Sequence, residues 1–432
     1  MQILKKILTF ILILESRLII AKYKPFVITV TGSVGKTSTK DAIYTAIVGQ
    51  GGYTRKSEKS MNSEIGLPLT IIGAPNAWKS LSGWLKNIYK GFILIIKKHK
   101  YPDCLILEIG ADHPGDIKNV VKWLKPDISI ITMIGSTPVH VEFFKNPEEV
   151  FQEKLALAYA TNKGGKVILY ADEQKVLSVK DLLKDKQVEI ITYGKNSLAD
   201  IKAENIDIVY QDSKPKALSF VTDIGGTKYN IISQNTIGES YIYPNLCALA
   251  VTKARNLNIA KAVQALNNHE VTKGRMHLIS GINDSILVDD SYNSSPDAVL
   301  SAINSIKKVQ VIGKKIFILG DMLELGKHSA EQHRLIGKEV VAVADMLVLV
   351  GNRSRSTGEE AIRNGFDPNK VLYFDSSSDV APKISSMIGP NDIILIKGSQ
   401  SIRMEKVTKA LLKEPQKADT LLVRQEKEWL EK

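Results

Sequence analysis

The sequence is poor in cysteine and has no long apolar run. Its two cysteines, Cys104 and Cys247, both lie in apolar segments, which excludes a disulfide framework and a cysteine-ligated metal and indicates core residues of a cytosolic protein. Glu15 and Arg17 interrupt the apolar N-terminus well short of the about 20 apolar residues that a membrane-spanning helix needs. No small-residue cleavage site follows, which argues against a secretory signal peptide.

Other features that the sequence lacks narrow the class of protein further. No basic run is interleaved with aromatic residues, so nucleic acid is a poor candidate for a partner. There is no internal repeat and no low-complexity segment. The remaining composition, 44% hydrophobic and 24% charged, is that of an ordinary globular protein, and a net charge of +12 favours anionic partners such as nucleotides or an acidic membrane face. A length of 432 residues predicts two or three domains.

The most informative segment reads TGSVGKTS at 31–38 and directly follows the apolar run 26–30. A buried strand, a glycine-rich turn and a helix predicted over 39–48 form the layout of a phosphate-binding loop. Lys36 would reach the β- and γ-phosphates, and the Thr37 hydroxyl would ligate Mg²⁺. The loop is a contracted form, because Val30 stands where the full pattern has glycine. The predicted nucleotide contacts from this segment are Gly32, Ser33, Val34, Gly35, Lys36, Thr37 and Ser38.

Apolar runs alternate with helical patterns along most of the chain, which predicts an α/β fold with mostly parallel sheets. The runs that predict strands are 26–30, 104–109, 128–133, 166–170 and 189–192, and later 286–289, 315–319, 346–350, 371–374 and 393–396. Residues 200–235 instead predict short antiparallel strands with a turn at Gly225-Gly226. We place the boundary between a central domain and a second, Rossmann-like α/β domain near residue 272; the second lacks a G-x-G-x-x-G fingerprint. The charged tail from Lys413 is expected to fray.

Two apolar and basic segments leave two interpretations open. The segment 1–24 predicts a helix that packs on the protein or lies at a membrane interface. Residues 78–100 form an amphipathic insertion, read either as a helical hairpin with solvated lysines or as an attachment to an anionic membrane. Together they make the inner face of a membrane an alternative to a purely cytoplasmic location.

Several chemistry-bearing side chains follow predicted strands, where a phosphoryl-transfer site of an α/β protein lies. Glu108 could hold Mg²⁺ or could serve as a capping or salt-bridged residue. His140, with Glu142 nearby, could be a ligand or a structural histidine, and Lys154 alone would be a solvated helix lysine. Asp289 and Asp290 could clamp a ribose or a metal, or could form a turn before the helix that starts at Pro296.

Taken together, the segments resemble the Mur ligase family, the ATP-dependent amino-acid ligases of peptidoglycan precursor synthesis. The matching segments are TGSVGKTS at 31–38, NSEIGLPLT at 62–70, LEIGADHPGDI at 107–117, HVEFF at 140–144, KGRM at 273–276, DDSYNSSPDAV at 289–299, LGDMLELG at 319–326 and LIKGSQSIRMEKV at 395–407. LGDMLELG and D-D-x-Y-N favour the member that adds D-alanyl-D-alanine to a muramoyl-tripeptide. The D-N-P-R motif of a sister enzyme is absent.

The resemblance implies an acyl-phosphate mechanism with ATP and two Mg²⁺ ions. It implies that Thr37 and Glu108 hold one Mg²⁺, that His140 helps to hold the second, and that Lys154 is a metal-binding carbamate. The catalytic set is then Lys36, His140 and Lys154. The resemblance also assigns nucleotide contacts to Asn245, Arg275 and Asp290. The candidates on the substrate side are Asn62, Tyr292, Asn293, Asp321, Glu324, His333 and Lys397.

The resemblance divides the chain into an apolar helix at 1–24, an ATP-binding central domain at 25–272 and a C-terminal ligase domain at 273–432. Family members carry a further N-terminal domain that binds the uridine nucleotide, whereas 25 residues precede Phe26 here. Ser63, Pro244 and Ser240 also depart from the family pattern. We expect a monomer that uses muramoyl-peptide and D-Ala-D-Ala-type substrates.

Three alternatives remain open at this point. The first is a related ligase that adds another amino acid to a different acceptor, either lipid-linked or of the pseudomurein type. The second is a nucleotide-dependent binding protein without ligase activity, which would not need Lys154, His140 and Glu108 together. The third is a kinase with the same loop, which would phosphorylate a hydroxyl group.

Overall fold

The computed structural model describes residues 2–58, 61–78, 80–135 and 143–430, which fold into two compact units. Unit 1 comprises Met1–Glu204, Val221–Asn230 and Ile242–Leu266, and unit 2 comprises Asn205–Phe220, Ile231–Tyr241 and Asn267–Lys432. Both are α/β units, and the predicted fold class is confirmed.

The sheet of unit 1 is built on parallel strands in the order β2-β3-β1-β4-β5-β6. The strands read as continuous apolar runs because helices cover both faces of such a sheet. Their bounds are β1 (Phe26–Thr31), β2 (Thr54–Lys56), β3 (Cys104–Glu108), β4 (Ile128–Ile131), β5 (Lys166–Tyr170) and β6 (Glu189–Gly194). Because β1 pairs with both β3 and β4, the loop after β1 lies beside the ends of both neighbours.

The helices of this part of the chain differ from the sequence prediction in two places. The helix after the glycine-rich turn begins at Lys36, three residues before the predicted start. Residues 78–100 hold one helix rather than a hairpin, and the Ser80 side chain caps it by accepting a hydrogen bond from the Gly83 N–H. The bounds are α1 (Gln2–Tyr23), α2 (Lys36–Ile47), α3 (Gly66–Ile72), α4 (Leu81–Ile96), α5 (Asp116–Val120), α6 (Pro147–Tyr159), α7 (Gln174–Leu177), α8 (Val179–Leu182), α9 (Ile242–Ala254) and α10 (Ile259–Asn267).

Three long strands follow β6 and complete a nine-stranded order: β7 (Ile201–Gln211), β8 (Lys214–Ile224) and β9 (Thr227–Gln234). Two-residue turns join them. Gly225 and Gly226 have φ of +65° and +82°, the left-handed conformation that a tight hairpin requires. The predicted hairpin strands are therefore confirmed, although they are longer than the sequence indicated.

Unit 2 contains a six-stranded sheet in the order β10-β11-β15-β12-β13-β14, in which only the β10–β11 pair is antiparallel. Alternate residues of its strands bury into two cores: Val288, Phe317 and Leu395 face one, and their chain neighbours face the other. The strands are β10 (His277–Ser280), β11 (Ile286–Asp290), β12 (Lys315–Gly320), β13 (Met346–Val350), β14 (Val371–Phe374) and β15 (Ile393–Lys397). The helices are α11 (Pro296–Lys308), α12 (Ser329–Val340), α13 (Arg355–Arg363), α14 (Val380–Ile384), α15 (Glu405–Ala410), α16 (Ala418–Leu421) and α17 (Lys427–Leu430).

The expectation that the tail frays from Lys413 is wrong. Ala418 and Leu422 are 3% and 2% exposed and belong to one of the two cores of unit 2. Arg424 is 6% exposed. Val423 is also buried, so four buried residues pack the charged tail onto unit 2.

Both cysteines are unpaired and buried, as predicted. Burial raises the pKa of the Cys104 thiol to about 11 and raises that of Cys247 further. Within the described residues, no helix combines the length and apolar character that crossing a membrane requires.

Candidate functional site

The loop between β1 and α2 is held in place by the end of β4. The backbone N–H groups of Ser33 and Val34 donate to the Met133 carbonyl at 2.8 and 3.1 Å. The Thr132 hydroxyl donates to the Val34 carbonyl at 2.7 Å. A β-carbon at Gly32, where φ is +150°, would lie 1.9 Å from the Thr132 hydroxyl oxygen. The close approach of the two strand ends therefore requires glycine at this position.

The first turn of α2 presents the features of an anion-binding helix N-terminus. Gly35 takes the left-handed conformation with φ of +85°, which turns the chain directly into the helix. The Lys36 ammonium donates to the carbonyls of Gly32 and Ser33 at 2.9 and 3.2 Å, so the lysine folds back over the loop. The N-terminal N–H groups of α2 and this ammonium form a site suited to phosphate oxygens.

Glu108 ends β3 and faces the start of α2. The Thr37 hydroxyl donates to Glu108 Oε1 at 3.1 Å, and the Lys40 ammonium lies 3.4 Å from Oε2. Glu108 and Lys40 are 6% and 3% exposed, so the pair is buried. A hydroxyl and a carboxylate oxygen at this spacing match the hard oxygen ligands that Mg²⁺ prefers. Lys40, which lies one helical turn beyond Lys36, is not among the site residues predicted from the sequence.

Lys154 in α6 points at the same loop. Its ammonium donates to the Gly32 carbonyl at 3.0 Å, and the residue is 3% exposed. Burial, and then the positive charge of Lys36, lowers the pKa of Lys154 to about 7. The side chain is therefore not the solvated helix lysine of the simpler interpretation.

His140 and Glu142 fall in the segment 136–142, outside the described residues. Just before it, the backbone N–H groups of Ile134 and Gly135 donate to the Glu173 carboxylate, the closer contact at 2.8 Å. Within the part of the chain that the structure describes, no group of three or more His, Cys, Asp and Glu side chains is placed to hold a metal ion. The metal-ligand role of His140 stays a prediction.

Two more predicted residues of unit 1 lie at different places. Asn62 precedes α3, and its carbonyl accepts from the Gly110 N–H at 3.0 Å, beside the end of β3. Asn245 lies in the first turn of α9 and is 3% exposed. The loop, Glu108 and Lys154 therefore lie together at one edge of the sheet. Asn62 lies close to the same edge, because its carbonyl contacts the Gly110 N–H just after β3.

In unit 2, the ends of β11 and β15 bring Asp290 and Lys397 together. The Lys397 ammonium lies 2.7 Å from Asp290 Oδ2 and donates to the Asn293 carbonyl at 3.0 Å. Both charged residues are buried, and the Met276 N–H donates to Asp290 Oδ1 at 3.2 Å. Burial raises the pKa of Asp290, and the positive charge of Lys397 opposes the rise. Asp290 therefore joins the loop before β10 to the strand ends.

Two guanidinium groups lie close to the Tyr292 ring. The centre of the Arg275 group is 4.4 Å from the Tyr292 ring centroid, and that of Arg424 is 5.5 Å away. Arg424 also donates to the Ser291 carbonyl at 3.2 Å and to the Tyr292 carbonyl. Within the described residues, Arg275 Nε is buried without a hydrogen-bond partner. Arg424 is not among the predicted site residues, because nothing in the sequence of the charged tail distinguishes it from its neighbours.

Asp321, Glu324 and His333 cluster around the loop after β12. The Asp321 carboxylate accepts from the Ser354 N–H at 2.8 Å, and Glu324 has φ of +61°. His333 is 1% exposed; its Nε2 accepts from the Met322 N–H at 3.1 Å, so Nδ1 carries the proton that it donates to the Ser329 carbonyl at 2.7 Å. Burial lowers its pKa. Because both ring nitrogens bind backbone groups, the described contacts of His333 are structural.

Comparison with known proteins places this arrangement in a family. The Mur ligase middle domain matches residues 30–252, and the Mur ligase glutamate ligase domain matches residues 274–400. The UDP-N-acetylmuramoyl-tripeptide–D-alanyl-D-alanine ligase of Bacillus subtilis is 25% identical over 390 residues, which span 90% of this chain and 76% of the relative. The enzyme of the same name from Buchnera aphidicola (strain Bp) is 28% identical over 406 residues, which span 91% of this chain and 76% of the relative.

Solved structures show the same fold. MurF from Acinetobacter baumannii superposes with a TM-score of 0.75 at 20% identity, covering 93% of this chain and 79% of that one. MurF ligase from Thermotoga maritima in complex with ADP gives a TM-score of 0.74 at 22% identity, covering 95% and 84%. With both domain matches in family order, the chain belongs to the Mur ligase family.

Proposed function

We propose that this chain is an ATP-dependent ligase that joins D-alanyl-D-alanine to a muramoyl-tripeptide in peptidoglycan precursor synthesis. The observation that carries the proposal is the cluster of Thr37, Glu108 and buried Lys154 around one phosphate-binding loop. A protein that only bound a nucleotide would not need a buried lysine at this place. The names of the Bacillus and Buchnera relatives supply the substrates.

The residues of the loop fit ATP and Mg²⁺. The N-terminus of α2 and Lys36 would bind the β- and γ-phosphates, and ADP is present in the relative from Thermotoga maritima. Thr37 and Glu108 would hold one Mg²⁺, and a carbamate on Lys154, with His140, would hold the second. Bound Mg²⁺ would neutralise phosphate charge that develops in the transition state. The lowered pKa of Lys154 supports the carbamate, because only a neutral amine adds to carbon dioxide.

In the proposed reaction, a carboxylate oxygen of the acceptor peptide attacks the γ-phosphorus of ATP, and ADP leaves. The amine of the dipeptide then attacks the carbonyl carbon of the acyl phosphate, loses a proton and expels inorganic phosphate. The protein contributes mainly position and charge. Lys36 would stay on the transferred phosphoryl group, while Lys40 would keep the Glu108 carboxylate in place through its 3.4 Å contact.

The remaining predicted contacts are part of the same proposal. Asn245, Arg275 and Asp290 would contact the nucleotide, and Arg275 has a buried Nε that a bound anion would satisfy. The substrate side would be formed by Asn62, Tyr292, Asn293, Asp321, Glu324 and Lys397, and His333 would position the loop after β12 through its backbone contacts. ATP supply and two unpaired buried cysteines support a cytoplasmic location.

Mass spectrometry of the reaction products tests the proposal. The full chain is incubated with ATP, Mg²⁺, D-Ala-D-Ala and the UDP-linked tripeptide, and parallel reactions contain glutamate or the tripeptide without its nucleotide. We expect a new amide with one ADP and one phosphate per product, and none with the Lys36→Ala variant. An amide product formed only with glutamate would show that the chain has the activity of a different member of the family and would contradict the proposed dipeptide substrate. A phosphorylated hydroxyl product would identify a kinase and contradict the proposal.

Replacing Gly32 with alanine is expected to weaken the binding of ADP and Mg²⁺ by roughly a hundredfold. The new methyl group would need the space of the Thr132 hydroxyl, which fastens the loop to β4. Isothermal titration with ADP and Mg²⁺ measures the effect. Gly51→Ala is the matched control: φ there is +114°, yet a β-carbon meets no atom within 4 Å. Equal affinities for the two variants would show that the loop geometry does not govern nucleotide binding.

A further inference from the structure

Helices α1 and α4 pack against each other and present a row of exposed apolar side chains each. On α1 the row is Ile7, Phe10, Leu14 and Leu18, and on α4 it is Leu81, Leu85, Tyr89, Phe92 and Ile96. The spacings of three and four residues place each row on one helical face. Exposure of these side chains runs from 44% at Leu14 to 70% at Leu81. Single exposed apolar residues are common, but two aligned rows are not.

The two rows border one groove. Leu14 and Leu18 line it from α1, and Leu85, Tyr89 and Phe92 line it from α4, around a volume of about 470 Å³. The rows therefore form one continuous apolar surface, named here the α1–α4 surface. The pair is held firmly, since the Lys22 ammonium donates to the carbonyls of Leu94 and Ile95 at 2.9 and 2.7 Å.

The exposed charged residues of α1, of α4 and of the segment 97–100 that follows α4 are all positive. Lys5, Lys6 and Arg17 on α1 and Lys86 on α4 are exposed, and exposed lysines at 97, 98 and 100 follow α4. The one carboxylate in the two helical sequences is Glu15, which lines the groove, is 7% exposed and packs against Gly91 of α4. Burial raises its pKa to about 7, so this carboxyl is only partly ionised at neutral pH and is far outnumbered by the exposed basic residues. An apolar surface with basic residues around it matches an anionic lipid bilayer.

We propose that the α1–α4 surface docks the protein onto an anionic phospholipid membrane, with both helices lying in the plane of the interface. Helices of 22 and 16 residues in this orientation would insert their apolar rows and leave the lysines at the headgroups. A second copy of the chain is the poorer occupant. A twofold contact would place two basic surfaces against each other.

Sedimentation of the full chain with large vesicles tests the proposal. We expect binding to equimolar phosphatidylcholine and phosphatidylglycerol, with at least roughly tenfold weaker binding to phosphatidylcholine alone or in concentrated salt. The double variant Phe10→Glu/Leu85→Glu should lower the partition coefficient by at least roughly tenfold, because it places two charges in the apolar rows. Leu198→Glu is the matched control, since Leu198 is 70% exposed and lies outside the surface. It should bind like the parent chain.

Three results would overturn the proposal. The first is a parent chain that stays in the supernatant with anionic vesicles, and the second is a double variant that binds as well as the Leu198→Glu control. The third is a parent chain that forms a lipid-free dimer in sedimentation velocity while the double variant is a monomer. Circular dichroism and ligase activity of the double variant in solution separate a docking defect from misfolding. Because neither Phe10 nor Leu85 belongs to the proposed catalytic cluster, ligation in solution should be unchanged.

Discussion

The Lys154→Ala variant is expected to lose ligase turnover by roughly a hundredfold or more while remaining folded. Lys154 is buried and its nitrogen lies 3.0 Å from the Gly32 carbonyl, at the centre of the phosphate-binding loop. A free ammonium there would repel Mg²⁺, whereas a carbamate would be an anionic ligand for it. Lys118→Ala is the matched control, because the Lys118 side chain is 57% exposed and its ammonium lies 3.8 Å from Glu153. Steady-state phosphate release with the complete substrate set measures both variants.

A carbamate on Lys154 should make the turnover of the enzyme depend on both pH and bicarbonate. The amine becomes neutral as the pH rises through about 7, so bicarbonate should raise turnover of the parent enzyme more strongly above pH 7 than below it. The Lys154→Ala variant should not respond to bicarbonate at any pH. Full activity of Lys154→Ala, or an equal bicarbonate response in both proteins, would contradict the metal-ligand role of Lys154.

The lowered pKa of Lys154 also makes the stability of the folded protein depend on pH, whether or not the protein is catalytically active. In the bicarbonate-free protein the pKa of Lys154 is lowered from an ordinary value of 10.5 to about 7. The folded state therefore binds fewer protons than the unfolded state between these values, and the free energy of unfolding rises with pH across that window. Below pH 7 the penalty of the buried charge is fully present. Lys154→Met should accordingly unfold at a higher temperature than the parent at pH 6.

The sequence predicted the parts of the site that lie close together along the chain or at strand ends. The loop 31–38 is one continuous segment, and the carboxyl ends of parallel strands lie at one edge of a sheet, which made Glu108 a candidate. Its pairing with Thr37 was implied only by the family resemblance, and the structure shows the contact because β3 pairs with β1. Lys154 was assigned only through the family resemblance, because its helix carries no local pattern that distinguishes a buried lysine from a solvated one.

Contacts between residues that are far apart in the sequence could not be predicted from the sequence. Lys40 and Glu108 are 68 residues apart, and Arg424 and Ser291 are 133 apart. The short strand β2 was missed because Thr-Arg-Lys has no apolar pattern. Glu15 and Arg17 interrupt the apolar run but not the predicted N-terminal helix, because helical periodicity turns Glu15 toward α4 and leaves Arg17 in solvent.

The Glu405→Gln variant is expected to lower the free energy of unfolding of unit 2 by about 3–5 kcal/mol. Glu405 is 1% exposed and forms ion pairs with two arginines: one oxygen with Arg403 and the other with Arg424 at 3.1 Å. Removing the carboxylate charge leaves two guanidinium groups almost buried without an anion. Burial already lowers the pKa of Arg424. Urea unfolding followed by intrinsic fluorescence measures the change.

A matched control lies in the same tail. Glu414 pairs with Lys417 at 2.8 Å, but both side chains are about half exposed, so Glu414→Gln should change the free energy of unfolding by less than about 1 kcal/mol. Equal shifts for the two variants would mean that the buried cluster does not hold the tail in place.

The cluster also connects the tail to the proposed substrate side. Arg424 donates to the carbonyls of Ser291 and Tyr292, so losing its partner Glu405 releases the segment that carries Tyr292 and Asn293. Arg424→Lys keeps a positive charge but cannot reach both carbonyls and Glu405 in one planar geometry. We therefore expect it to raise the KM for the incoming dipeptide while changing stability less than Glu405→Gln. An Arg424→Lys variant with unchanged KM and lowered stability would limit the tail to a structural role. A raised KM with little change in stability would instead make Arg424 a positioning residue for the ligase reaction.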